Sequence, residues 1–484
     1  MSKSGVNYSK QNETKLKSEY LSFFEVLAQS IGSIAPTASL AFVIPLVYGT
    51  AGNGTWLAYT FAFVAVALVA VNLNHFASRS ASPGSLFTYI VNGLGPTAGF
   101  ISGWALLLAY LITTSAVICG FINYANVLLM SIGISIPLVV LGLIGAISAW
   151  YVAYKDIKLS ANLTLVLEGI SLISISMLGI IVLIHNGFKI DLAQLTLKGV
   201  SPTSIRIGLV IAFFSFAGFE SAASLGGEAK KPLLTIPKAV LSSVIIVGIF
   251  FVIFSYIEVL GFIGSSVKLN AATAPLDTLA KLNSVGFLGP IISLGTMLSF
   301  WASFLACANA GARLLFSIGR HGIVNSYMGN VHDDNNTPYI AISVISLIAT
   351  LVPIILICLN NKIFDIYGWL GTIATYGFLI NYALVTIAAP VYLYKEKELK
   401  VKDIAISAIT FIILLIPIVG SIYPLPAYPY NILPFIFLAW LVVGSIWFVI
   451  QKVKNPSLVS NIKIDVQRIN EQFKSDKKNN YLRS

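Results

Sequence analysis

The chain has 484 residues, 57% of them hydrophobic and only 10% charged, with a formal charge of +11. An ordinary soluble domain carries about a quarter charged residues, so this composition excludes one and indicates an all-α polytopic membrane protein. Cys119, Cys307 and Cys358 all fall in apolar runs without the spacing of a metal site or a disulfide framework. The stretch 1–20 is polar and has no apolar core followed by a cleavage site, so the first apolar run is read as a retained span rather than a signal peptide.

Runs of roughly 20 apolar residues predict spans near 23–48, 55–77, 97–128, 134–154, 160–185, 204–226, 239–263, 287–319, 338–359, 366–394, 403–423 and 430–452. Twelve spans put both tails on one side. With the N-terminus cytoplasmic, 24 of the 30 Lys and Arg residues fall in cytoplasmic segments and 6 in external ones, a bias that sets the orientation. It also accounts for the positive charge without a nucleic-acid partner, leaving the lipid bilayer of the cytoplasmic membrane as the surroundings.

The first span contains Ser30-Ile31-Gly32-Ser33-Ile34-Ala35-Pro36. Glycine and proline there weaken the helical ladder, and backbone groups freed in hydrocarbon cost several kcal/mol each unless protein, water or ligand answers them. A proline kink is the simpler alternative. Five spans later the sixth span reads Phe216-Ala217-Gly218-Phe219-Glu220, again with a glycine at mid-span. A stretch of mixed aromatic and small residues at 78–95 and another stretch at 270–284 follow spans two and seven, each expected as a short interfacial helix, and fall on opposite faces. Paired breaks and paired connectors, five spans apart and inverted, suggest a five-plus-five inverted repeat: 21–200 and 201–400 as repeats, 401–452 as two further helices, and 1–20 and 453–484 as cytoplasmic tails.

Broken helix ends present N–H groups to an anion and carbonyls to a cation, an arrangement suited to a zwitterion such as an amino acid. Its carboxylate is expected on the N–H groups of Gly32, Ser33 and Ile34, beside Ala35. Its ammonium is expected on carbonyls near Gln29, Ser30 and Phe216, with Ala217, Gly218 and Phe219 completing the second break. Trp104, Tyr110 and Tyr376 are candidate cavity walls, with simple packing as the alternative for each. Intramembrane carboxylates are costly and functional by default: Glu220 is the candidate gate or proton carrier and Glu168 the alternative carrier, while Glu25 and Glu258, near span ends, are expected at the interface. No Lys or Arg is expected at the centre of a span. The four histidines form no metal cluster, no cofactor motif is present, and His-Glu-x-x-His, Gly-x-Ser-x-Gly and Walker-type motifs are missing. These patterns point away from an enzyme.

Three segments carry a family likeness. They are 82–96 (Ser-Pro-Gly-Ser-Leu-Phe-Thr-Tyr-Ile-Val-Asn-Gly-Leu-Gly-Pro) with 99–104 (Gly-Phe-Ile-Ser-Gly-Trp); 216–221 (Phe-Ala-Gly-Phe-Glu-Ser) with 227–239; and 308–322 followed by Thr337-Pro338. In order and at this spacing, the chain resembles amino acid permeases of the amino acid-polyamine-organocation superfamily, from about residue 19 to 452. The resemblance implies the inverted-repeat core with two extra helices, an amino acid held at the breaks of helices one and six, alternating access, and Glu220 at the position of a glutamate linked in some members to gating and pH response. Members with a Gly-x-Gly break have a second glycine where Ile34 stands here, and the lysine that some proton-coupled members carry in helix five has no counterpart. The expected activity is secondary active uptake of a neutral amino acid with protons. Obligate exchange, sodium coupling through Ser299 or Ser303, and a non-transporting sensor are the alternatives.

Overall fold

The computed structural model describes residues 16–423 and 427–481. The remainder of the expected N-terminal tail, 1–15, and the last residues of the C-terminal one, 482–484, lie outside the described residues. Eleven helical stretches there are long and apolar enough to cross a membrane, and the first, Phe23–Ala77, is two spans joined at a 3-10 turn, Gly52–Gly54. The twelve spans are thus Phe23–Ile34 with its continuation to Ala51, Thr55–Ala77, Pro96–Ser131, Leu138–Lys155, Ile157–His185, Pro202–Phe214 with Phe219–Leu225, Pro232–Gly261, Gly289–Arg320, Tyr339–Cys358, Ile363–Lys395, Val401–Gly420 and Leu433–Lys454. They match the predicted runs to within a few residues, except that several extend further. In all, the protein is an all-α polytopic membrane protein.

Spans one and six are the interrupted ones. Span one starts with a capping box in which the Ser22 N–H donates to Glu25 Oε2 at 2.5 Å. It ends at Ile34, where Ala35 turns to φ 51° in the left-handed region. Pro36 is the physical cause, because a proline lacks the N–H and disfavours right-handed helix in the residue before it. The chain then resumes through Pro36–Ala38, a π turn at Ser39–Val43 and Ile44–Ala51. Span six stops at Phe214, turns through Gly218 at φ 86°, and continues as a 3-10 helix, Phe219–Leu225.

Spans three, eight and ten form the packed centre, with spans one and six set among them. The two connectors are helical as expected, but differently placed. Leu86–Leu94 is a buried helix, not an interfacial one, with Tyr89 stacked on Phe76 at 5.5 Å. Pro275–Leu282 lies on the opposite face. The C-terminal tail contains a helix, Leu458–Tyr481, whose Leu458, Ile462 and Val466 are buried and whose Asn470 Nδ2 donates to Asn92 Oδ1 at 2.8 Å.

The N-terminal face is closed by polar contacts. Tyr20 and Leu21 donate their N–H groups to the Glu228 carbonyl at 2.8 and 3.0 Å. The Glu228 carboxylate accepts from Arg313 Nε at 2.6 Å and Nη2 at 2.9 Å, and both side chains are fully buried. Arg313 therefore lies in the packed interior of span eight, two turns before its end. At the rim, Lys17 Nζ meets Asp156 Oδ2 at 3.0 Å. The bond to Asp156 raises the Lys17 pKa. Burial pushes Asp156 up, but the Leu159 N–H and Lys17 outweigh it and hold the carboxyl below its ordinary range. The link is therefore intact above the ordinary carboxylate range, is lost as pH falls through the lowered Asp156 value, and is lost again above the lysine range.

Removing one member of a buried ion pair strands the other at a cost of about 3–5 kcal/mol. Arg313→Met should therefore lower the melting temperature in detergent markedly, and adding Glu228→Leu should recover most of the loss. A single variant as stable as the parent in a thermal-shift measurement would contradict the ion pair's role.

Candidate functional site: two facing helix breaks

The two breaks lie against each other in the centre of the bundle. Ser30 Oγ donates to the Phe219 carbonyl at 2.7 Å and accepts from the Ala222 N–H at 3.3 Å. In the other direction, Ser221 Oγ donates to the Gln29 carbonyl at 3.1 Å. A Cβ added to Gly218 would stand 2.7 Å from the Ser33 Cβ, so glycine is required there both for its positive φ and for the closeness of span one. Gln29 Nε2 donates to the Ala306 carbonyl of span eight at 2.7 Å, and the Cys307 thiol points at the Ser33 carbonyl at 3.8 Å.

The break in span one falls one step later than the sequence suggests. Gly32, Ser33 and Ile34 belong to the first helical half, so at the break they present carbonyls rather than N–H groups. The N–H groups opening the second half are those of Thr37 and Ala38. Thr37 is fully buried and its hydroxyl has no hydrogen-bond partner among the described residues. Gly32 has a separate reason to be glycine: a Cβ there would run into Thr164 of span five and approach Ala306 at 3.2 Å.

Glu220 sits in the 3-10 half of span six, fully buried. Tyr110 Oη donates to its Oε1 at 2.8 Å and Tyr382 Oη to its Oε2 at 2.9 Å. Phe219 packs on Tyr382 with ring centroids 5.1 Å apart, and Phe216 on Phe251 at 5.1 Å. Of the three aromatic candidates, then, the fold brings only Tyr110 to the breaks. Trp104 stacks on Trp440 of span twelve at 4.5 Å, and each indole N–H donates to the other's carbonyl at 2.9 Å. Tyr376 faces Phe437 of the same span at 6.0 Å. Both lie against span twelve rather than at the breaks. Tyr382, not singled out from sequence, takes the place beside Glu220; it is one of 21 tyrosines, and no local pattern marks it.

Glu168 lies on the face of span five that carries Thr164 and accepts from Ser299 Oγ at 2.7 Å through Oε1, while its Oε2 has no partner among the described residues. Ser303 Oγ is likewise unpartnered. Glu25 is 7% exposed at its span end, capping the helix and 3.7 Å from Lys158. Glu258, three residues before the end of span seven, is 1% exposed.

Towards the far face an aromatic group covers the breaks. Phe42, in the π turn after the span-one break, meets Tyr367 at 4.7 Å, Phe364 at 5.0 Å and Phe300 at 5.4 Å. Beside it is a cavity of about 30 Å³ lined by residues including Val43, Phe214, Gly371 and Tyr430. With ion pairs closing one side and aromatic rings the other, the breaks are shut off from both faces.

Paired broken helices at the centre of a closed bundle of twelve spans define a membrane transport protein. The amino acid permease family matches residues 25–456, and the chain belongs to that family. It is 25% identical over 478 residues to the branched-chain amino acid permease BcaP of Bacillus subtilis, covering 92% of this chain and 95% of the relative. It is 23% identical over 475 residues to the methylthioribose transporter of the same organism, covering 93% and 97%. The low-affinity putrescine importer PlaP of Escherichia coli K12 is 31% identical over 315 residues, covering 61% and 66%. These relatives are named for transport, and the chain is a transporter of an amino acid or related small molecule rather than an enzyme.

Left-handed backbone costs a non-glycine residue about 1–2 kcal/mol. Ala35→Gly should therefore preserve transport and not lower thermal stability, whereas Ala35→Val, β-branched at positive φ, and Gly218→Ala should each abolish uptake while the protein still reaches the membrane. Vesicle uptake and surface expression check this; transport by Gly218→Ala at the parental rate would separate the break of span six from the site.

Proposed function

We propose that this protein is a secondary active transporter of the cytoplasmic membrane that takes up neutral amino acids with protons by alternating access. The observation that carries this reading is the contact of two broken helices through Ser30, Ser221 and Gly218, which leaves the carbonyl end of one half-helix and the N–H end of the next beside each other at membrane depth. A zwitterion satisfies both ends at once. The amino acid's carboxylate is held at the N–H groups after Ala35, and its ammonium at carbonyls of 32–34 and of the turn at 215–217. Spans one to five and six to ten act as inverted repeats, with both termini cytoplasmic, a reading that the distribution of Lys and Arg supports.

Glu220 supports a neutral over a cationic substrate side chain, because both its oxygens are occupied by tyrosine hydroxyls. The relatives' names span both classes, a branched-chain amino acid and putrescine. Glu220 and Glu168 are the candidate proton-linked groups. Sodium coupling is the second reading, favoured by the unpartnered hydroxyl of Ser303.

Proteoliposomes given a panel of labelled amino acids should accumulate neutral ones when the outside is acidic. No accumulation, exchange or binding under any pH or sodium gradient would refute the reading. Glu220→Gln should retain binding with a flattened pH dependence, and an unchanged profile would remove Glu220 from gating and proton transfer.

A further inference from the structure

Span seven holds a carboxylic side chain that the described structure leaves unanswered. Glu258 is 1% exposed, and both of its oxygens are buried without a hydrogen-bond partner. Leu40, Ile175, Leu178, Gly179, Leu276 and Leu279 are among the residues that surround it, around a cavity of about 10 Å³, close to the size that admits a single water. Such walls offer an ionised carboxylate nothing, and an isolated buried charge costs several kcal/mol. The neutral acid is the form this chamber accepts.

The charged and titratable groups around the chamber do not change that balance. Tyr59 of span two and Tyr124 of span three are within electrostatic reach. The Tyr59 hydroxyl is engaged with Ser215 at 2.8 Å, and that of Tyr124 has no partner among the described residues. On the helix Pro275–Leu282, Asp277 is paired with Lys281 at 2.6 Å. On span five, Glu168 is seven residues before Ile175, roughly 10 Å along the helix. No lysine, arginine or histidine among the described residues forms an ion pair with Glu258.

The walls are of two kinds. Ile175, Leu178 and Gly179 belong to the uninterrupted span five. Leu40 lies in the π turn that follows the span-one break, and Leu276 and Leu279 lie on the connector helix of the far face. Two of the enclosing elements therefore lie on the far side of the breaks, one of them the π turn that also carries Phe42.

We propose that Glu258 is a proton-binding site linked to opening of the far face, distinct from Glu220 and Glu168. With Leu40 and the connector helix in place, the acid holds its proton. When they move aside and water enters, its O–H bond breaks, the proton passes to water as hydronium, and the carboxylate is left hydrated; the reverse steps precede closure. This rests on the transporter reading for its purpose, though not for its chemistry. A single linked proton makes the open-to-closed ratio rise with pH by up to about tenfold per pH unit.

The full chain, with Cys358→Ser to remove an exposed thiol, is spin-labelled at Lys268→Cys and Lys362→Cys in the exposed far-face loops and reconstituted without substrate. The population at long distance should rise from about pH 6 to about pH 8 by severalfold, towards the linkage limit. In Glu258→Gln it should change less than about twofold. Infrared spectra of the unlabelled protein should show a protonated carboxyl band that Glu258→Gln removes. Glu258→Asp keeps an acid and should retain the response with a shifted midpoint, which guards against a misfolded glutamine variant. A band unaffected by Glu258→Gln, or a distance change equal in parent and glutamine variant, overturns the proposal. Because neither readout needs a substrate, failure of amino acid uptake would count against the transporter reading and leave this test standing.

Discussion

A helix can cross hydrocarbon because each backbone N–H and C=O is answered within it, and interrupting one exposes groups that cost several kcal/mol apiece if left bare. This protein interrupts two and places them where they answer one another. The serine hydroxyls of span one and span six exchange hydrogen bonds with each other's backbone. The absence of a side chain at Gly218 brings the two chains close enough for that exchange. Spans one and six are consequently joined as one unit, and the groups they do not use on each other are those available to a ligand.

The same accounting applies to side chains. Glu220 is satisfied by two tyrosines, and the Glu228 carboxylate by Arg313. Among the described residues, Glu168 is half satisfied and Glu258 not at all. The closures on the two faces also differ in kind. One consists of a buried ion pair and backbone contacts to residues 20 and 21, and the other of aromatic rings around Phe42. Separating an ion pair demands water or new partners, whereas sliding aromatic rings loses dispersion and burial area without stranding a charge. Each face thus answers to different conditions, the first to titration of Asp156 and Lys17 at its rim, the second to packing and to the proton proposed on Glu258.

Much of the architecture was legible in the chain order of residues. Span positions follow from runs of apolar residues long enough for a bilayer, and the interruption of spans one and six follows from proline and glycine, whose backbone limits are intrinsic. Even so, Ala35 rather than Gly32 carries the left-handed conformation, since a proline acts on the residue before it while Gly32 serves the approach of span five. Aromatic residues were less legible. Trp104 and Tyr376 share a general character with Tyr110 and Tyr382, and only rotation of each helix about its axis separates those that reach Glu220 from those that meet span twelve. Arg313 lies near the cytoplasmic end of a predicted span, and nothing along the chain marks it as buried; the fold buries it by bringing Glu228 alongside.

What the sequence by itself determined is therefore the membrane-spanning, all-helical form, the location of two breaks and the presence of carboxylates in apolar surroundings. All of these depend on single residues and their neighbours along the chain. Only the tertiary structure decided that the breaks face each other, that Tyr382 belongs to Glu220, and that Glu258 is sealed away without a partner among the described residues. Those facts depend on how separate helices are brought together in space, and hydropathy reports how readily a segment enters the bilayer without reporting which of its faces meets which neighbour.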